Sequence, residues 1–205
     1  MTGTYTMESV SKGMKGEEII GEYLVYTGQL LIPSSRIGHV FTPYLAILNE
    51  RKIIYPDNFV SKDGKNEWIE SKAKTAPRIN PVDRQLEYGF PVRQCEHYME
   101  VSKITNTPVS IFIAEYYPYP NILSARLDWL LSLSEPMFRK FDGDGYKVLE
   151  PHYYWNREVF KKNDVPKEIK DKMLEYRNGL TPPSNLEEIR KYIPYGGLSN
   201  LGEFL

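Results

Sequence analysis

Two short apolar segments, Ile53-Ile54-Tyr55-Pro56 and Trp68-Ile69, each run into charge. The first meets Asp57 and the second meets Glu70-Ser71-Lys72. Side chains two apart on an extended strand share a face, so Glu70 and Lys72 project together while Ser71 points away. The connection across residues 61–67 is polar and turn-prone at Asp63-Gly64. If the two segments form a hairpin, Asp57 joins the pair. Two carboxylates and an ammonium in one small volume suit Mg²⁺, which takes hard oxygen ligands from carboxylates, water and substrate phosphate. The lysine can position or deprotonate an attacking water. The competing reading is a surface hairpin with a solvated acid and base.

Around this feature the hydrophobic pattern alternates between helical and extended periods. Residues 1–11 read as disordered. Residues 17–26 read as a helix, with Ile19, Ile20, Tyr23 and Leu24 on its apolar face and Gly28 as its stop. Residues 30–32 and 44–48 read as strands joined by a loop from Pro33. Residues 52–55 and 67–73 are the strands that carry the charged motif. A proline-containing loop over 75–82 precedes a helix over 93–103. Residues 109–114 form the clearest buried strand. Residues 123–133 read as a helix, 146–149 and 152–160 as strands, and 166–178 as a charged helix ending at Gly179. The order predicts an α/β fold with a central mixed β-sheet flanked by helices. Residues 1–160 form the expected domain, and residues 161–205 a C-terminal extension, helical then irregular.

Pro56-Asp57 followed by Glu70-x-Lys72 resembles the signature of the PD-(D/E)XK nucleases. Gly13-x-x-Gly16-Glu17, continuing to Tyr23-Leu24 and Gly28, resembles the first helix of that superfamily, where a glutamate faces the active site. Gln94-x-x-x-Tyr98 is similar to the extra motif of its RecB-like branch. The resemblance covers residues 13 to 115. It implies a restriction-endonuclease-like core and a DNA nuclease that hydrolyses phosphodiester bonds with Mg²⁺, Mn²⁺ substituting. Asp57, Glu70, the Ser71 carbonyl and Glu17 are the implied metal ligands, with Glu22 as the runner-up to Glu17. Lys72 is the implied water-holding residue. Lys74 and Arg78 are expected at phosphates, and Gln94 and Tyr98 at DNA. A Holliday-junction resolvase or a restriction-type endonuclease on the same core is an alternative, with a homodimer as the expected assembly. So is an inactive nucleic-acid-binding protein that keeps the fold.

Composition narrows the remaining classes. The 205-residue chain has a net charge of −1, which argues against a DNA-coating protein but not against a nuclease whose acidic site and basic rim cancel. Cys95 is the only cysteine, which excludes an intrachain disulfide and the four-thiolate iron–sulfur cluster of some RecB-like nucleases. No apolar run reaches the roughly 18 residues of a membrane span, and the first residues lack the apolar core of a signal peptide. The expected location is cytoplasmic, with viral and plasmid contexts both compatible. His39, His97 and His152 are the three histidines and have no metal-binding spacing. His97 reads as a helix-surface residue, and Asp142-Gly143-Asp144-Gly145 as a turn.

Overall fold

A computed structural model describes residues 7–34, 44–48, 51–135 and 151–193. The strand expected over 146–149, the Asp142–Gly145 turn, His39 and the end of the tail lie outside the described residues.

The longest apolar-faced segment forms α1 (Met7–Tyr26), which begins before the expected helix and includes part of the stretch read as disordered. Gly28, at φ +81°, ends it in a left-handed conformation that favours glycine. The strands β1 (Leu30–Pro33), β4 (Asn58–Lys62), β5 (Lys65–Lys74), β8 (Val109–Glu115), β9 (Asn121–Arg126) and β11 (Lys161–Lys162) make one six-stranded sheet in the order β1-β4-β5-β8-β9-β11. The pairing of β5 with β8 is parallel and the others are antiparallel. The sheet is therefore mixed, as expected. A second sheet has the order β10-β7-β6, from β6 (Arg78–Ile79), β7 (Leu86–Pro91) and β10 (His152–Asn156). The strands β2 (Tyr44–Leu48) and β3 (Arg51–Ile54) form a separate ribbon.

Two cores flank the central sheet. On one face Ile19, Ile20 and Leu24 of α1 pack with Ile69, Phe112 and Ala114. Ile169 and Met173 of α4 (Lys167–Asn178) join this cluster. On the other face Cys95, Tyr98 and Val101 of α2 (Val92–Thr105) pack with Trp68, Ile111 and Ile113. Alternation along β5 decides which residues meet which helix. Two shorter helices, α3 (Leu127–Ser132) and α5 (Leu186–Tyr192), complete the described elements together with a 3₁₀ turn at Arg157–Val159.

Further expectations change. The strand expected over 152–160 ends at Asn156 and gives way to the 3₁₀ turn, and the loop expected over 75–82 contains β6. The hairpin partner of β5 is β4, not the segment at 52–55, which pairs with β2 instead. Pro56, without an N–H, separates the two strands. The polar residues of the 61–67 connection are mostly strand, closed by a two-residue turn with Asp63 at φ 51° and Gly64 at φ 75°. The segment at 123–133 is strand as far as Arg126 and helix only from Leu127, because its first half completes the ladder with β8. The strand β7 was not expected.

Candidate active site

The β4–β5 ladder stops at the Asn58–Ile69 pair. The next β5 amide facing that side, the Ser71 N–H, donates to Asp57 Oδ2 at 2.8 Å. The Asp57 carboxylate thus takes the place of the missing strand. Its own backbone is fixed because the Ser34 N–H donates to the Asp57 carbonyl at 2.7 Å. The N–H and C=O of one strand residue point to the same side, so the Ser71 carbonyl opens on the same gap. Glu70 is 2% exposed and in direct ion-pair contact with Lys72. Asp57, Glu70 and Lys72 therefore come together, with Asp57 reached through β4.

Glu17 arrives from the opposite face of the sheet. α1 lies so close to β5 that a Cβ on Gly16 would stand 2.4 Å from the Ala73 Cβ. That approach carries Glu17 to the sheet margin, where it lines an open groove with Asp57 and Asn58. Glu22 lies further along α1 and pairs with Lys172 at 2.6 Å, so Glu17 is the helix acid nearer the motif.

The electrostatics follow from packing acids together. Burial and then the Glu70 charge push the Asp57 carboxyl well above its usual value, against the pull of Lys72. Partial burial and then Glu70 raise Glu17 as well. Burial pulls the Lys72 ammonium down, but Glu70, Asp57 and Glu17 outweigh it, and the group ends above its ordinary value. Lys72 is a firmly held cation here.

A divalent ion fits this donor set. The Glu70 Oε2 oxygen is buried and has no hydrogen-bond partner, and the carboxylates that repel one another would each gain from a shared cation. All the available donors are hard oxygens, which suit Mg²⁺ or Mn²⁺. Among the described residues no three or more His, Cys, Asp or Glu side chains are already gathered around one point. The candidate set is two carboxylates, the Ser71 carbonyl and Glu17 at the margin.

Of the outer residues, Tyr98 departs from the expectation. Tyr98, expected at DNA, is 3% exposed and lies in the interior. Burial and then Glu70 and Asp57 hold its phenol well above the usual range, so it stands behind the acids. Gln94, one turn earlier, is half-buried. Lys74 Nζ donates to the Gly89 carbonyl at 3.4 Å and sits over the Phe90 ring. Arg78 Nε is 4.0 Å from Glu87, with its guanidinium over Tyr154. Both cations are tied to the second sheet. The sequence reading missed Asn58, whose Nδ2 lies 3.5 Å from Ser71 Oγ, and buried Cys95, whose thiol is raised to about 12 by burial and then by Glu70. It also missed Glu115. An acid closing the apolar run 109–114 signals a buried partner, and that partner is Arg157, which donates twice to Glu115 at 2.8 Å.

No family model and no curated protein matches this sequence. Among solved structures the chain is similar to the Holliday junction resolvase Hjc of Archaeoglobus fulgidus, at 11% identity and a TM-score of 0.45, covering 77% of this chain and 95% of that one. It is also similar to D212, a nuclease from a fusselovirus, at 10% identity and a TM-score of 0.42, covering 87% of this chain and 100% of that one. At TM-scores this low neither likeness carries function to this chain. Among the described residues no helix is long and apolar enough to cross a membrane.

Proposed function

We propose that this chain is a metal-dependent deoxyribonuclease of the PD-(D/E)XK type. The observation that carries the reading is Asp57 capping the Ser71 N–H beside the Glu70–Lys72 pair, because it turns a spaced sequence motif into one constellation. Asp57, Glu70 and the Ser71 carbonyl would hold Mg²⁺ or Mn²⁺, with Glu17 on the metal or its water. A bound ion would polarise the scissile phosphate and lower the pKa of a water. Lys72, kept cationic by its acidic neighbours, orients the nucleophile by donating to it and offsets the developing charge. Lys74 and Arg78 hold the phosphates that flank the scissile bond.

Within this type, the RecB-like reading rests on Gln94 alone once Tyr98 is assigned to the interior. A Holliday-junction resolvase or restriction-type endonuclease on the same core is the alternative, and cleavage of branched against linear DNA separates the two.

The test combines binding and turnover. Mn²⁺ should bind the unmodified chain in calorimetry and support DNA cleavage, and EDTA should abolish cleavage. Asp57→Ala and Glu70→Ala should each lose both metal binding and cleavage while keeping the circular dichroism of the parent. Cleavage that persists in EDTA, or wild-type rates in either variant, would overturn the assignment.

A further inference from the structure

Asp57 enters the candidate site at the end of a short, stiff stretch of chain. β3 ends at Ile54, and only Tyr55 and Pro56 separate it from Asp57. Proline fixes its own φ, and the residue before a proline is confined to extended conformations. Few free rotations therefore lie between the Ile54 backbone and the Asp57 carboxylate. A shift at Ile54 is passed on to Asp57 rather than absorbed.

Three contacts hold this stretch. After it, the Ser34 N–H donates to the Asp57 carbonyl at 2.7 Å. Within it, the Tyr55 ring meets the Trp68 ring edge-on, with centroids 5.4 Å apart. Before it, the Ile54 N–H donates to His97 Nδ1 at 3.2 Å. The pairing of β3 with β2 is irregular at this point, with a register shift between Tyr44 and Ala46, opposite Ile54 and Ile53. An irregularity of this kind disrupts the ladder locally, and the acceptor for the Ile54 N–H comes from a side chain of α2.

His97 is suited to that task. It is half-buried, on the helix whose Cys95 and Tyr98 share a core cluster with Ile53. A ring nitrogen accepts a hydrogen bond only when it carries no proton. Burial, and then the Arg93 charge one turn earlier on α2, hold the imidazole below its ordinary value, against the opposing pull of Glu100 and Glu96. The ring is therefore neutral at neutral pH, with Nδ1 as the acceptor.

We propose that His97 is a positioning residue for Asp57: by holding the Ile54 N–H it fixes the Tyr55-Pro56 stretch, and with it the place where the Asp57 carboxylate meets the Ser71 N–H. His97 is not itself a ligand. It acts from α2 through three residues of chain, so the helix behind Glu70 also sets the position of the other acid. The consequence for metal binding rests on the nuclease reading, whereas the placement of Asp57 against Ser71 does not. A histidine that only satisfied a backbone N–H would add to stability and leave Asp57 where it is.

Two amides report the two ends of this tether without metal or turnover. They are Ile54, for which His97 is the acceptor, and Ser71, for which Asp57 is the acceptor. Native-state hydrogen exchange read by NMR in EDTA, referred to the amides of buried Ile111 and Ile113 in β8, measures both. His97→Leu keeps the bulk without an acceptor, and His97→Asn puts an amide oxygen near the place of Nδ1. In His97→Leu both amides should exchange about tenfold faster relative to β8, the weight of one hydrogen bond. In His97→Asn both should return toward the parent. Mn²⁺ affinity in calorimetry should follow the same order, weaker by about tenfold or more in His97→Leu, as for other residues that support a metal ligand. Ser71 protection in His97→Leu equal to that of the parent, or no recovery in His97→Asn, overturns the proposal, because Ser34 and Tyr55 would then hold Asp57 alone. A parent that binds no Mn²⁺, with Ser71 exchange still following residue 97, overturns the metal-site reading and supports the positioning of Asp57. Should His97→Leu fail to fold, His97→Ala decides on the same two amides.

Discussion

Asp57 is held with its proton more tightly in the folded chain than in the unfolded one, because burial and the neighbouring Glu70 both disfavour its charge. The sign of the consequence follows from linkage. Below the ordinary value of 3.8 the group is neutral in both states and costs nothing. As pH rises from there through the folded value, the native state must accept the charge and stability falls. Asp57→Asn keeps an oxygen for the Ser71 N–H and removes the charge. In EDTA it should raise the melting temperature at neutral pH, by an amount that shrinks as the buffer is made acidic. A variant no more stable than the parent at any pH would show that Asp57 carries no such penalty. Lys72 poses the opposite case, since its neighbours keep it charged. Lys72→Ala should slow saturated single-turnover cleavage by about 10²-fold, in the range of lost acid–base or positioning groups, with little change in DNA affinity. Lys74→Ala and Arg78→Ala should weaken affinity and its salt dependence, and leave the saturated rate nearly unchanged. Measuring both quantities for all three variants at two salt concentrations separates chemistry from binding.

Among the elements, the approach of α1 to β5 is the one that Gly16 sets. A Cβ there would meet the Ala73 Cβ at 2.4 Å and the Ala73 backbone at 3.0 Å. Gly16→Ala should therefore lower stability by about 1–3 kcal/mol in urea unfolding, the usual cost of overpacking. Ala73→Gly in the same chain should recover part of the loss, and no recovery would show that the strain lies elsewhere. The glycine was legible in the sequence as part of a motif, and the contact partner was not, since nothing local says that residue 73 lies beneath residue 16. The same division runs through the other elements. Asp63-Gly64 announced a tight turn because only such residues take positive φ on both sides of it. The strand Asn58–Lys62 was hidden because its exposed end is polar, and its extended conformation comes from the ladder with β5 rather than from its own pattern. The helical reading of 123–126 failed for the same reason, and Tyr98 was assigned to DNA because helix spacing gives its neighbours on the helix but not its depth. Asp57, Glu70 and Lys72 were legible because their chemistry depends on short-range spacing and one hairpin.

Across the whole molecule, the two sheets are joined by a buried polar knot that the motif reading did not touch. Glu115, fully buried at the end of β8, accepts two bonds from Arg157 of the 3₁₀ turn and one from Asn121 Nδ2 of β9 at 3.0 Å. The Tyr88 hydroxyl of β7 also donates to Glu115. One carboxylate thereby ties the central sheet to the second sheet, whose Gly89 carbonyl holds Lys74. A buried ion pair adds little to stability compared with a well-packed apolar replacement, but losing one partner leaves the other charged and unsolvated. Arg157→Met should therefore cost about 3–5 kcal/mol in urea unfolding, the range for a stranded buried charge. Glu115→Leu/Arg157→Met removes both charges and leaves the neutral Tyr88 and Asn121 donors unsatisfied, so it should be less damaging than the single variant. Native-state hydrogen exchange should show protection lost first at the amides of β7 and β10, with β5 and β8 still protected, because the knot fastens the second sheet rather than the first. Equal loss across both sheets would mean that the two unfold as one unit, and that Lys74 owes its position to the global fold instead of to this contact.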